Sequence, residues 1–207
     1  TLYSSTSYFQ YKMQPMGYEY DLINDFAKSQ GLKLNIKVAE NPARLIEMLE
    51  AGEADVVAYP IPINNNLKQE VIYCGREDIS SQVLIQRANK GDKLLTDVTQ
   101  LIDKNVYVKP NTKYSERLKN LDEELGGGIH IQKVENDSIA TEDLIEMVSL
   151  GEIPYTISDD NTARLNKTYY WNINVDLKVS FPQRSSWVVR KSSPDLAKAI
   201  DEWASDK

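Results

Sequence analysis

The residues best suited to contact a small molecule lie in three segments, each expected to follow a strand or to lead into a helix. Ligands of open α/β folds bind beyond the carboxyl ends of strands, where loops and helix N-termini meet. The candidate contact residues are Tyr8, Glu19, Tyr59, Ile61, Ile63, Asn111, Thr112, Lys113 and Tyr114, with Asp159 at the end of a further strand. The aromatic residues near the start pack equally well beneath a loop, so their ligand role has a structural alternative.

The second segment, residues 59–63, and the third, residues 109–114, offer different chemistry. Two prolines in Tyr59-Pro-Ile-Pro-Ile63 fix an extended backbone that provides carbonyl groups and few donors, which suits a rigid ledge for a ligand. Backbone N–H groups and the positive end of a helix dipole at residues 109–114 favour a carboxylate or another anion. Ordinary helix capping explains Asn111 and Thr112 equally well.

A carboxylate at the end of the segment Tyr155-Thr-Ile-Ser is the natural partner for a cation. Asp159 could hold an ammonium group, and we prefer it to its neighbour Asp160. Capping of the next helical turn is the alternative. The sequence therefore predicts a site for a small polar molecule.

Other kinds of chemistry lack an essential residue. With one histidine, His130, and one cysteine, Cys74, a His/Cys metal cage cannot form, and nothing supports nucleophilic catalysis through His130. No glycine pattern for phosphate or dinucleotide binding occurs, since Gly126–Gly128 precedes a strand. A formal charge of −7 disfavours nucleic acid. We predict no metal, no cofactor and no nucleic-acid partner.

The elements that must position these residues alternate between helix and strand. A helix is predicted between Gly17 and Gly31, and alternating apolar residues predict a strand over 32–38. Asn41-Pro42 predicts a capped helix start, and the apolar run 55–58 a buried strand. The fold class is therefore α/β.

The second half repeats this arrangement. It contains a strand at 106–108, a helix after Thr112 and a glycine turn before a further strand. The run LEAGEADVVAYP from Leu49 matches VSLGEIPYTISD from Val148 when Gly52 is aligned with Gly151, which favours two similarly built lobes over a chance match. Ser193-Pro194 predicts a final helix that packs on the first lobe.

The length of 207 residues and the 41% apolar content allow one domain of two lobes. No apolar run reaches the roughly 18 residues that a membrane span needs. Because the first residue is Thr1, we expect a processed or trimmed terminus and any membrane anchor outside the sequence.

Several runs together resemble the bacterial extracellular solute-binding proteins of family 3, which have the type II periplasmic binding protein fold. These runs are SYFQYKMQPMGYEYDLINDFAKSQGLKLNI, LEAGEADVVAYP, SSQVLIQR, EDLIEMVSLGEIPYTISDD and SSWVVRKSSPDLAKAIDEW. The SYF opening, GEIPYTISD and SSWVVRK are most similar to the N-terminal domain of membrane-bound lytic murein transglycosylases of the F type.

The resemblance implies a two-lobed fold, each lobe a mostly parallel sheet flanked by helices. Residues 1–87 with 177–207 would form lobe 1, residues 88–176 lobe 2, and a ligand cleft would lie between them. Asp159 falls where the family places an acidic partner for a ligand amino group, and Thr112 falls at the helix start of lobe 2. The family's Thr-x-x-Arg carboxylate grip is replaced by Asn64 and Leu67, which casts doubt on a free amino acid in the usual pose.

The resemblance further implies a non-catalytic, regulatory domain that closes by a hinge on an amino acid, a stem peptide or a muropeptide. The partner would be a C-terminal transglycosylase domain, whose Glu-Ser and Gly-Leu-Met-Gln motifs do not occur here. The expected location is the periplasm. The alternatives are a free receptor of a transporter and, less favoured, an enzyme similar to cyclohexadienyl dehydratases.

Overall fold

The chain forms two compact units in the computed structural model, which describes residues 1–4, 6–136 and 138–206. Unit 1 comprises Thr1–Ile79 and Gln183–Lys207, and unit 2 comprises Ser80–Pro182. These boundaries differ from the expected 87/88 and 176/177, because the strand after Ser81 is hydrogen-bonded within the sheet of unit 2. The assignment of the units as lobes of a ligand cleft stays a prediction.

Helices and strands alternate along much of the chain. The strands are β1 (Phe9–Tyr11), β2 (Gln14–Met16), β3 (Val56–Pro62), β4 (Val71–Ser80), β5 (Gln82–Arg87), β6 (Asn105–Val108), β7 (His130–Lys133), β8 (Tyr155–Asp159), β9 (Ile173–Asn174) and β10 (Gln183–Arg190). The helices are α1 (Tyr18–Ser29), α2 (Pro42–Glu50), α3 (Lys113–Glu124), α4 (Thr141–Leu150), α5 (Asp160–Lys167) and α6 (Pro194–Ser205). The predicted α/β class is confirmed.

Unit 1 contains the sheet β3-β10-β4 and the hairpin β1-β2. Helix α6 packs against α1, since Ile200 and Phe26 belong to the same buried cluster. The predicted packing of the last helix is therefore confirmed. Cys74 lies in this cluster, and burial, with a smaller contribution from Asp201, raises the pKa of its thiol to about 12.

The predicted strand over 32–38 is wrong. No strand is assigned there, and the nearest pairing is a single parallel bridge between Leu2 and Ala39. Of the alternating apolar residues, Leu34 and Ile36 pack on the core of unit 1, whereas Leu32 and Val38 are exposed. A largely apolar cavity of about 370 Å³ lies between this segment, α1 and β3.

Unit 2 contains a five-stranded sheet in the order β7-β6-β8-β5-β9. Strand β6 runs parallel to β7 and β8, whereas β5 is antiparallel to β8 and β9. In unit 1, β3 and β10 are also antiparallel. The sheet of unit 2 is therefore mixed, and the β3–β10 pair of unit 1 is antiparallel, so the expected mostly parallel sheet is not found in either unit.

The repeated glycine motif has the same local structure in both units. The carbonyl of Met48 accepts from the N–H groups of Glu53 and Ala54, and the carbonyl of Met147 accepts from those of Glu152 and Ile153. The aligned glycines both have positive φ, 74° at Gly52 and 78° at Gly151. The sequence match thus corresponds to one helix termination used twice.

Among the described residues, no helix is long and apolar enough to cross a membrane.

Candidate functional site

The two candidates near the start of unit 1 are buried. Tyr8 is 8% exposed and packs against the ring of Tyr20 at 5.8 Å. Glu19 is 9% exposed, and its Oε2 accepts a hydrogen bond from the indole Nε1 of Trp187 at 2.5 Å. Burial raises the pKa of the Glu19 carboxyl, the Trp187 bond lowers it, and Asp78 raises it further. These contacts account for the burial of both side chains, and the ligand role of Tyr8 and of Glu19 stays a prediction.

The ledge segment 59–63 lies within β3 except for Ile63, so the expectation that it follows the strand is wrong for its first four residues. The second half of β3 is paired with β10, with Ile61 opposite Ser186 and Pro62 opposite Ser185. The prolines fit because β3 is an edge strand, where a missing N–H is tolerated. Ile61 is 3% exposed and belongs to the core.

Tyr59 and Ile63 flank this core position. Tyr59 is half-buried and packs on the same cluster, and the backbone N–H of Ile63 donates to the carbonyl of Arg184 at 2.9 Å. Their ligand role stays a prediction.

The positions that replace the family's arginine grip are used structurally. The side-chain Oδ1 of Asn64 accepts from the backbone N–H of Leu67 at 2.8 Å, and Leu67 packs on the core of unit 1. A leucine there offers no hydrogen-bond donor to a carboxylate beyond its backbone.

The polar candidates of unit 2 meet at one edge of its sheet. Because β6 and β8 are parallel neighbours, their carboxyl ends lie at the same edge. The loop after β6 leads into α3, whose first residue is Lys113, and β8 ends at Asp159. The topology therefore brings together residues 46 positions apart in the sequence.

Two of these candidates serve the start of α3. The Thr112 hydroxyl donates to the carbonyl of Lys109 at 2.8 Å and accepts from the N–H of Ser115 at 3.2 Å. Asn111 is exposed and has φ of 57°, a left-handed conformation that asparagine tolerates. Capping explains Thr112 directly, and ligand contact by either residue stays a prediction.

The most polar contact at this edge is centred on Asp159. Its Oδ2 accepts from the Lys113 ammonium at 2.5 Å and from the Tyr114 hydroxyl at 2.9 Å. The side chains remain partly accessible, with 27% of Lys113 and 20% of Asp159 exposed. The Asp159 carboxylate is thus oriented by two donors and still reachable from solvent.

One residue at this edge was missed by sequence reasoning. Gln82 begins β5 directly opposite Asp159 and is 4% exposed. Its backbone N–H donates to the Ser180 hydroxyl at 2.8 Å, but its side-chain Oε1 is buried without a hydrogen-bond partner among the described residues. Because Gln82 opens an apolar strand, only the strand register revealed its position. We call Gln82, Lys113, Tyr114 and Asp159 the Asp159 cluster.

Buried acceptors without partners occur at two neighbouring residues as well. They are Ser158 Oγ and Asp160 Oδ1. Within the described part of the chain, no group of three or more His, Cys, Asp or Glu side chains is arranged to hold a metal ion.

An α/β chain of two units, with a polar cluster where parallel strands end, is typical of proteins that bind small solutes. The sequence identifies the class directly. Residues 2–206 match the bacterial extracellular solute-binding proteins, family 3, and the chain belongs to this family.

Relatives among curated proteins are similar to the chain over most of its length. The chain is 31% identical over 204 residues to a membrane-bound lytic murein transglycosylase F of Desulfosudis oleivorans, covering 97% of this chain and 43% of that protein. It is 28% identical over 201 residues to the same kind of protein from Stutzerimonas stutzeri, covering 96% of this chain and 40% of the relative. The chain therefore spans about two fifths of the length of these relatives.

Solved structures show the same fold. A mutant of the arginine-binding protein ArgBP from T. maritima has a TM-score of 0.77 and 20% identity, covering 97% of this chain and 83% of that one. An ancestral arginine-binding protein bound to arginine also has a TM-score of 0.77, with 19% identity, covering 97% of this chain and 86% of that one. At this identity the likeness concerns the fold, and the predicted type II binding-protein architecture is confirmed.

Proposed function

We propose that this chain is the non-catalytic, ligand-binding domain of a membrane-bound lytic murein transglycosylase. The observation that carries the proposal is the match of nearly the whole chain to about two fifths of the transglycosylase relatives. A catalytic domain would then lie in the rest of the intact protein, and the location would be the periplasm.

The ligand is a small polar molecule such as an amino acid, a stem peptide or a muropeptide. The Asp159 cluster supports this part of the proposal, because it presents an oriented and accessible carboxylate at the carboxyl ends of parallel strands. The core positions of Glu19 and Ile61 lead us to assign less of the ligand contact to these two residues.

A thermal-shift screen against amino acids, short stem peptides and muropeptides tests ligand binding. Binding to the folded state alone raises the melting temperature by mass action, and a hit is then quantified by titration calorimetry. We expect at least one of the three classes to stabilise the chain. Failure of all three would contradict the proposal.

A second assay tests the absence of catalysis. Incubation of the purified 207 residues with peptidoglycan is expected to release no anhydro-sugar product. A matched incubation with an active lytic transglycosylase controls for the quality of the substrate. Release of such products by the chain alone would show that it is an enzyme.

We also propose that ligand binding changes the arrangement of the two units and that this change is transmitted to the attached enzyme. The chain passes from unit 1 to unit 2 and back, which makes two connections available as hinges. A ligand shifts the equilibrium between two arrangements of the units only if it binds one arrangement more tightly than the other. A ligand-dependent decrease in the radius of gyration in solution scattering is expected, and an unchanged scattering profile at saturation would contradict closure.

A further inference from the structure

The cavity of unit 1, about 370 Å³ in volume, is bordered by the edges of two chain segments. Residues 32–37 and residues 56–58 of β3 line it without interruption. Because successive side chains of a strand point to opposite faces, an uninterrupted row of lining residues means that the cavity faces the edge of the strand. Such an edge presents backbone N–H and C=O groups.

Both edges have backbone groups to offer on the cavity side. Strand β3 is paired with β10 and lies at the end of the sheet β3-β10-β4. Residues 33–36 form no backbone hydrogen bond with any described residue. Leu34 and Ile36 nevertheless pack inward while Asn35 is exposed, as in an extended chain. The two edges are therefore suited to pair with one further strand between them.

A strand in this position would be covered by apolar side chains on both faces. Val56 and Ala58 belong to the core cluster of Phe26, whereas Val57 belongs to the cluster of Leu45. Because alternate residues of β3 point to opposite faces, the two clusters lie on opposite sides of the strand, and both line the cavity. Strands that are covered on both faces are apolar at nearly every position.

The chain itself reaches this cavity at Thr1. The Thr1 ammonium donates to the carbonyl of Lys37 at 3.1 Å, and the Thr1 carbonyl accepts from the N–H of Ala39 at 3.0 Å. Leu2 and Ala39 form a parallel bridge. These are bonds of a parallel ladder. Continued on the N-terminal side of Thr1, the ladder would run back along residues 36 to 32, a distance of about five residues.

A charged amine is poorly placed at this point of the ladder. Burial lowers the pKa of the Thr1 ammonium to about 6, because it disfavours the charged form. The Thr1 hydroxyl oxygen is also buried and has no hydrogen-bond partner among the described residues. A peptide bond at Thr1 would keep the N–H donor for the Lys37 carbonyl and would remove the buried charge.

We infer that the cavity of unit 1 is the site of a β-strand joined to Thr1, about five residues long and apolar on both faces, which pairs with residues 32–37 and with the free edge of β3. Its occupant is the stretch of chain that precedes Thr1 in the intact protein. The segment 32–38, whose alternating residues predicted a strand, then has a partner strand. The inference concerns unit 1 alone and does not depend on the proposed function.

The test compares three extensions of the 207-residue chain, each joined to Thr1. Lys-Val-Ile-Val-Ile supplies an apolar strand with a lysine for solubility. Lys-Val-Pro-Val-Pro stays apolar but lacks two N–H donors, and Lys-Ser-Gly-Ser-Gly controls for length. We expect the Val-Ile extension to raise the melting temperature by about 10 °C, and the two controls to change it by less than about 3 °C.

Hydrogen exchange locates the added strand. In the Val-Ile extension, the backbone amides of residues 33–37 should exchange at least about tenfold more slowly than in the unextended chain, because pairing protects them. The amides of α3 in unit 2 provide the internal control and should exchange at the same rate in both proteins.

Several results would overturn the inference. These are the absence of stabilisation by the Val-Ile extension, equal stabilisation by the Val-Pro extension, and unchanged exchange at residues 33–37. If a free peptide of the Val-Ile sequence, at an equimolar concentration, stabilises the unextended chain as strongly as the extension does, the cavity takes a strand from a separate molecule and the inference is wrong. A stabilisation that grows with protein concentration would assign the strand to a second copy of the chain, which also contradicts it.

Discussion

The residues predicted to contact a ligand lie in different environments in the two units. In unit 1, Tyr8, Glu19 and Ile61 are at most 9% exposed and contact their own core. In unit 2, Lys113 and Asp159 form an ion pair at the edge of a sheet, and both remain partly accessible.

This difference shows that a residue near the end of a helix or strand can be there for packing or for ligand contact, and that the two cases look alike in the sequence. An aromatic or acidic residue near a helix start, or an apolar residue in an edge strand, becomes buried when the neighbouring segment has apolar surface to cover. A charged residue at the end of a parallel strand stays at the edge, since burying its charge is costly. Substitutions in unit 1 should therefore affect stability, and substitutions in unit 2 should affect binding.

The largest expected effect is on the stability of unit 1. Replacing Ile61 by alanine removes a core side chain that is 3% exposed and should lower the free energy of unfolding by about 3 kcal/mol. Ile63→Ala at the half-buried neighbouring position should cost about 1 kcal/mol. Urea denaturation measures both. Equal, small losses would show that Ile61 is not a core residue.

The next largest effect is on ligand binding by unit 2. Asp159→Ala removes a charged acceptor and should weaken the binding of a ligand found in the screen about 30-fold, equivalent to about 2 kcal/mol. Because the side chain is partly exposed, the unfolding free energy should change by less than about 1 kcal/mol. Titration calorimetry of Asp159→Ala and Asp159→Asn measures the affinity. An unchanged affinity would remove Asp159 from the site.

Substitutions at Thr112 distinguish helix capping from ligand contact. Thr112→Ala loses the hydroxyl that accepts from the Ser115 N–H and should reduce stability by about 1 kcal/mol. Thr112→Ser retains the hydroxyl and should restore most of that loss. Thermal unfolding and titration of both variants measure the effect. An affinity loss as large as that of Asp159→Ala, without a loss of stability, would assign Thr112 to the ligand instead of the helix.

The smallest effect depends on pH. Burial raises the pKa of Glu19, so its ionisation at neutral pH costs stability. Glu19→Gln retains an acceptor for Trp187 and should be more stable than wild type at pH 7.5 by up to about 1 kcal/mol. The advantage should shrink as the pH falls through the raised pKa towards the ordinary range of glutamate, because wild type becomes protonated. Urea unfolding from pH 8 to pH 5 measures the trend, and an advantage that grows on acidification would contradict it.

Local signals predicted helices α1, α2, α3 and α6 and several strands. Asn41-Pro42 predicted the start of α2, and the Asn41 side chain accepts from the Arg44 N–H at 2.9 Å. Such caps depend on residues within one turn, so the sequence is sufficient. The strand expected over 32–38 required a hydrogen-bonded partner strand, which the alternation of apolar residues does not specify.

The candidate site was predicted in part. Placement of residues 109–114 and of Asp159 at strand ends followed from the α/β pattern. The bond between Lys113 and Asp159 spans 46 positions and depends on the order of the strands, which no local pattern specifies. Gln82 had no signal, because its significance comes from the register of β5 against β8.

Cys74 makes the chain convenient for spectroscopy. It is the only cysteine in the sequence, it is buried, and a thiol with a pKa of about 12 forms very little thiolate at neutral pH. A second cysteine introduced at an exposed position such as Trp171 would therefore accept a maleimide dye almost alone. A single introduced cysteine can therefore be labelled specifically while Cys74 is kept.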